Sequence, residues 1–523
     1  MSLAAVCAWC FLRASTIALV AVWLSKKVAA FVGWDQLAQR APAHPIASSL
    51  QTDPQWWAGG RKPALSHPTV ARLSKRLIWV LLLAPFLVPN LLVGYAYSRL
   101  ALMLIHYPFW NDVAYGLLLL LKFFPAAVVI RVFAPPSPVS AEALHLQRLL
   151  RRHDEPLVRR LSRELGSWVA GPGRVAIGAF VVVFLLAFQE FEIASLMGIT
   201  TGDAHSPVSW TVSLFDAHAG GIALSDSLSQ VVVPLLFELL VVLPAAVVLP
   251  AWMSSGLQTR RDVAPRARRW SASGLFVVVA ALFLAGVPSV VVLGGAVRGI
   301  ENLETTLPAL REIVIGAATA LGVALLACGA AQLLLREKRT WQPRRAGRGL
   351  AIAICSLPGL LGPLVLSLAI LALFQLPGFR VLSQSLVPLI LSLVLFVLPR
   401  AVILFAVTGI ARRTHAAHSA WLLVQSPAGK QRATGAMLID ELQTRAIFWS
   451  AVLVWYWCYW ELTPASLLAP PAAMSFCVRL YNFMHYGQGN ALSTMLVTAI
   501  AVPTVTIVVL SMLRRTLVRW VLQ

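Results

Sequence analysis

Long apolar runs alternate with short polar connections along the whole chain. The runs are about 20 residues long, the length that crosses a bilayer as a helix. The pattern predicts eleven spans, at residues 3–24, 77–99, 113–133, 173–198, 228–252, 271–293, 312–335, 349–374, 382–410, 446–468 and 489–512. Near the outer ends of two of these spans the same pattern is written twice. The first copy begins EFEIASLM at Glu190 and continues SWTVSLFDAHAGGIALS; the second begins ELTPASLL at Glu461 and continues SFCVRLYNFMHYGQGNALS. Glu190 and Glu461 are 271 residues apart, Ser209 and Ser475 are 266 apart, and Ser225 and Ser493 are 268 apart. A spacing kept this closely marks two copies of one structural unit, and in membrane transporters the substrate route commonly lies between such copies.

Prolines extend the repeat upstream. LAPFLVPN at residues 83–90 corresponds to SLPGLLGP at 356–363, with Pro85 and Pro358 separated by 273 residues. FPAAV at 124–128 corresponds to LPRAV at 398–402, with Pro125 and Pro399 separated by 274. Proline inside a membrane helix frees backbone carbonyls and allows bending. That suits a gate, and it also occurs in inert bundles. The division into halves falls near residue 255, giving a first half of about five helices (1–255) and a second of one extra plus five core helices (256–523).

Composition narrows the class. Of 523 residues 59% are hydrophobic and only 12% charged, against about 25% charged in ordinary soluble domains. So few charges cannot cover the surface of a water-soluble fold of this length; the expected class is all-α and integral to a membrane. The net charge of +22 would suggest nucleic acid in a soluble protein, but its placement is topological. Alternate connections hold 34 of the 43 Lys and Arg residues. By the positive-inside rule those connections are cytoplasmic, so the N-terminus is expected outside and the C-terminus inside. Six scattered cysteines give no disulfide framework; Cys7 and Cys10 form a CxxC in an apolar stretch with no second ligand pair. The first apolar stretch lacks the basic lead-in and cleavage site of a signal peptide and is expected to be retained.

Each half has a basic connection, 134–174 and 411–445, between its proline-bearing span and its Glu-bearing span. Residues 141–166 read as two short basic amphipathic helices, which suit either an anionic lipid surface or a cytoplasmic partner. Residues 51–63, QTDPQWWAGGRKP, read as an irregular loop with no catalytic arrangement. Inside the spans, Lys122 and Glu238 are single charges. An unpaired charge at mid-membrane costs at least about 2.5 to 3.5 kcal/mol, so each is expected to face protein or water, and pairing between the two is one expectation. Glu190 and Glu461 lie beyond the midplane at gate depth, either lining a path or holding the following outer loop shut. The aromatic run WYWCYW at 455–460 fits an interfacial belt, with ligand stacking as the alternative.

Proline span, basic helical loop, Glu-bearing span, Ser-x-x-Val-x-Leu-aromatic outer loop and final span, all present twice, resemble the fused two-half permease subunits of ABC importers of the iron(III) and thiamine type. The resemblance is strongest in the second half, in SLPGLLGP, LVLFVLPRAV, ELTPASLLAPP and VRLYNFMHYGQGNALS. It implies two ATPase subunits, an extracytoplasmic solute-binding protein, surrounding lipid, no cofactor and no nucleic acid. Contact with the ATPase is expected at Glu142, Ala143, Arg148, Arg151 and Arg152, and at His418, Ser419 and Ala420. The path or gate is expected at Glu190, Glu461, Lys122, Glu238, Tyr481 and His485. The family's Glu-Ala-Ala coupling motif is degraded: only Glu142-Ala143-Leu144 remains in the first half, with Arg148 at the glycine position, and His418-Ser419-Ala420 with Val424 stand in the second. No GxxxxGK[ST] phosphate loop occurs, so ATP hydrolysis is expected on other subunits, and the lack of HExxH and GxSxG argues against an enzyme. The alternative is a permease-like scaffold or sensor without ATP coupling.

Overall fold

A computed structural model of the chain describes residues 2–32, 68–133, 173–199, 209–253, 272–299, 303–335, 354–411, 415–470 and 475–522, with a few isolated positions between 146 and 171 and at 301. No strand occurs among the described residues. Helices satisfy their own backbone groups, which a lipid-embedded chain requires. Eight helices are long and apolar enough to cross a membrane, or up to ten if each of two bent pairs is one span.

In chain order the first half holds α1 (Leu3–Val32), α2 (Pro68–Leu87), α3 (Asn90–Met103), α4 (Pro108–Phe133), α5 (Gly173–Phe188), α6 (Glu192–Ile199), α7 (Trp210–Ala219) and α8 (Leu224–Met253). Then comes α9 (Ala272–Arg298), which carries a π-helical turn at Leu282–Gly286. The rest are α10 (Leu303–Leu335), α11 (Ile354–Leu360), α12 (Pro363–Gln375), α13 (Val387–Ala411), α14 (His415–Val424), α15 (Gly429–Ile439), α16 (Arg445–Tyr459), α17 (Thr463–Leu468), α18 (Phe476–His485) and α19 (Gly489–Leu522).

Four expected spans are broken: 173–198 is interrupted at residues 189–191, between α5 and α6, and at the other three proline chemistry gives the reason. Proline has no N–H to offer the carbonyl four residues back. Pro89 therefore leaves Pro85 without its helical donor, and the chain turns by 75° between α2 and α3. Pro363 does the same to Gly359, and α11 and α12 meet at 109°; Gly362 makes that turn at φ +84°, which only glycine adopts without strain. The expected span 446–468 is α16, a break at residues 460–462 and α17, because Pro464 cannot bond to the carbonyl of Trp460.

The packing repeats as the sequence does. α1 lies against α4, α5 and α8, and α10 lies in the same way against α13, α16 and α19. α3 packs on α6 as α12 packs on α17, and α7 on α8 as α18 on α19. α9 has no counterpart among the described residues of the first half and packs against α1, α2, α3 and α19. The two apolar cores interlock: Leu364, Val365 and Leu368 of α12 belong to the core built mainly by the first half, while Leu91, Leu92, Phe191 and Leu196 belong to the other. The expected boundary at 255/256 lies outside the described residues.

Pro399 frees the carbonyl of Leu395, and α11 closes on it at Gly359, where a Cβ would stand 2.3 Å from that oxygen and 2.7 Å from the Pro399 ring. Neither neighbour is a flexible side-chain end. Gly359→Ala is expected to cost about 1 to 3 kcal/mol by overpacking. Gly329→Ala in α10, where a Cβ meets nothing within 4 Å, is expected to be neutral or to stabilise by up to about 1 kcal/mol. Thermal unfolding of the two variants in detergent, read as opposite shifts of the midpoint, checks the pair.

Candidate functional site

Helix breaks in an apolar interior leave carbonyls and N–H groups that must find partners, since a buried unsatisfied one costs about 1 to 3 kcal/mol. Side chains supply the partners here, and several cross between halves. At the α2–α3 break, Lys122 of α4 donates to the carbonyls of Val88 and Pro85, the latter at 3.3 Å. The hydroxyl of Tyr456, on α16 of the second half, donates to Leu87 O at 2.6 Å. At the α11–α12 break the donor comes from the first half: Gln189 Nε2 lies 2.7 Å from Leu360 O and 2.9 Å from Glu238 Oε1.

Glu190 and Glu461 stand at the other two breaks. Glu190 Oε1 accepts the Ile193 N–H at 2.5 Å, and its Oε2 accepts the Ala194 N–H at 3.3 Å and the Tyr115 hydroxyl at 2.6 Å. Its carboxylate thus caps the first turn of α6, where orphan N–H groups and the helix dipole favour negative charge. Its backbone carbonyl accepts the hydroxyls of Thr211 at 2.8 Å and Ser209 at 3.4 Å, which fastens the start of α7. Glu461 cannot cap in the same way, because the counterpart of Ile193 is Pro464, which has no N–H; Thr463 is its near neighbour instead. Glu192 reaches across, accepting the Leu462 N–H at 3.1 Å, so three carboxylates from both halves share this level of the bundle.

Side-chain detail repeats as well. Phe188 packs its ring on Trp210 with centroids 5.5 Å apart, and Tyr459 on Phe476 at 4.5 Å. The carbonyl of Phe188 accepts the Trp210 indole N–H at 2.7 Å, and that of Tyr459 accepts the weaker Cys477 thiol at 3.5 Å.

The six expected path residues separate into groups. Glu190, Glu461 and Lys122 meet at the breaks, and Tyr481 joins them through its hydroxyl, 3.2 Å from Ser195 Oγ of the first half. Lys122 and Glu238 are both buried, but the expected pairing between them is not formed: the first holds backbone carbonyls and the second holds Gln189. The geometry explains this, since Pro85 and Val88 offer Lys122 two acceptors that no helix donor can use. Glu238 Oε2 has no hydrogen-bond partner among the described residues. His485 is exposed at the end of α18, its ring 5.6 Å from that of Tyr486.

Of the expected coupling residues, His418 and Ser419 are exposed on α14, and Ala420 is fully buried. α14 and α15 form a tight hairpin in which a Cβ at Gly435 would lie 2.7 Å from Ala420 O. Glu142, Ala143, Arg148, Arg151 and Arg152 lie outside the described residues.

The sequence reading missed Gln189, Glu192, Tyr456 and Arg400. For Glu192 the signal was present, since it is two residues from the repeat anchor in a stretch with few acids. Arg400 gave a signal too: it is a cation inside an apolar span with no acid within four residues. Gln189 and Tyr456 left none, because their partners are backbone groups. Comparisons with protein-family models, curated proteins and solved structures find no match for this chain.

Glu190→Gln replaces a carboxylate by an amide with one acceptor oxygen and loosens the cap of α6. In a chain stripped of its own cysteines, it is expected to raise maleimide labelling of a cysteine at Ser209 several-fold. Glu238→Gln, which leaves that cap intact, is expected to leave the labelling unchanged. Labelling rates in sealed membranes check both outcomes.

Proposed function

We propose that the chain is the permease subunit of a binding-protein-dependent ABC importer, its two halves forming the solute path by alternating access. The observation that supports this best is the repeated set of helix breaks whose backbone groups are held by side chains of the opposite half. A net hydrogen bond contributes about 0.5 to 1.5 kcal/mol, and the crossing bonds include Tyr456 to Leu87, Gln189 to Leu360, Leu462 to Glu192, Ser195 with Tyr481 and Tyr95 to Gly489. A seam of that strength is firm at rest, and partners that bind one state better can shift it by a few kcal/mol. On this reading the N-terminus is outside, the C-terminus and the α14–α15 hairpin are cytoplasmic, and the membrane is the cell's inner (plasma) membrane. Two copies of an ATPase dock at that hairpin and at its counterpart in residues 134–172; a solute-binding protein engages the end carrying α7 and α18.

One observation favours a second reading, a permease-like scaffold or sensor: the Glu and Gly of the coupling motif are absent around His418 and Val424. Gentle affinity purification of the tagged full-length chain from its native membranes separates the two. The importer reading expects an ABC ATPase at about two copies per chain, and its loss when Arg148, Arg151 and Arg152 are all changed to Glu. Recovery of the chain without any ATPase, after mild cross-linking as well, supports the scaffold and overturns the importer.

A further inference from the structure

Arg400 is the cation in the seam that no other group occupies. It sits on α13 directly after Pro399, with its guanidinium 4.0 Å from the Phe396 ring centroid and 5.5 Å from that of Trp457. Trp457 in turn meets Phe86, the residue before the end of α2, at 6.1 Å, so Arg400 lies on the line where the halves meet. Among the described residues its guanidinium has no hydrogen-bond acceptor and no carboxylate within ion-pair distance. Lys122, the buried cation at this seam, has its carbonyls, which makes the contrast within one structure.

The surroundings distinguish an idle arginine from a poised one. Arg400 and Glu461 are each neither fully buried nor exposed, so the guanidinium is not sealed into the packed core. Glu461 attracts Arg400 electrostatically without closing an ion pair with it. The carboxylate therefore offsets the cost of a charge at this depth and leaves the guanidinium fork open. The aromatic faces of Phe396 and Trp457 hold the plane of the fork, a stacking that arginine makes well. Such a fork is built for bidentate recognition of an oxyanion.

We infer that Arg400 binds the oxyanion group, carboxylate or phosphate, of a solute that reaches the seam beside Trp457 and Phe86. The inference rests on the transport reading for its meaning but not for its test, because binding is measured on the chain alone, without ATPase or binding protein.

The full-length chain in an uncharged maltoside detergent is titrated with sodium citrate, sodium phosphate and, as a control at matched ionic strength, sodium chloride, and the thermal midpoint is followed. A rise with citrate or phosphate beyond that with chloride is expected; which of the two acts at lower concentration identifies the carboxylate or the phosphate as the preferred group. Arg400→Gln is expected to weaken the response about tenfold or more, the loss of a charge-assisted contact, and Arg400→Lys to weaken it less. Trp457→Phe, which keeps the charge, is expected to retain the response with reduced affinity, and Arg298→Gln, exposed at the end of α9, to retain it in full. If Arg400→Gln proves unfolded, Arg400→Lys and Trp457→Phe still decide. No response to either anion beyond chloride overturns the inference, as does a full response in the Arg400 variants. Anion binding by a chain that captures no ATPase leaves this site standing and removes the importer; ATPase capture by a chain that binds neither anion does the reverse.

Discussion

A backbone carbonyl in an apolar interior has to be hydrogen-bonded, and in this protein that constraint joins two halves into one molecule. Proline ends helices at Leu87 and Leu360, and Pro464 marks a third break after Tyr459. Several carbonyls at these breaks take their donor from a side chain elsewhere. Tyr456 and Gln189 supply donors across the middle of the chain in opposite directions, and Lys122 supplies them from within its own half. The same positions that permit bending are therefore the positions at which the halves are fastened.

Equivalent breaks have not kept equivalent partners. Glu190 caps α6 through Ile193 and Ala194, whereas Glu461 cannot cap in the same way because a proline has replaced the donor. Lys122 answers to Phe396 in the second half, and Arg400 to Ala126 in the first, by the spacing of Pro125 and Pro399. One cation is spent on the backbone and the other stacks on the rings of Phe396 and Trp457.

Much of the fold was legible in the sequence, because helix length, proline position and the 271-residue repeat are all written in single residue types. The bends at Pro89 and Pro363 and the matching of α1 with α10 follow from these. Less of the site was legible. Glu190 and Glu461 stood out as anchors, but their partners are N–H groups a few residues on, and the pairing expected of Lys122 and Glu238 failed because a lone charge in an apolar run can be satisfied by backbone as well as by another charge. Gln189 and Tyr456 carry no unusual signal in sequence; their importance comes from carbonyls that become free only once the helices are seen to stop.

The account turns on the halves meeting where Ser195 and Tyr481 lie 3.2 Å apart. In a chain stripped of its own cysteines, Ser195→Cys with Tyr481→Cys is treated in native membranes with a short bifunctional thiol reagent, beside the control pair Ser367→Cys with Ser392→Cys, whose hydroxyls are 3.3 Å apart within the second half. The seam described here gives cross-linking of both pairs, the first detected after proteolytic cleavage between the halves as fragments that stay joined, the control as loss of free thiols in the second-half fragment. Cross-linking of the control alone would contradict it.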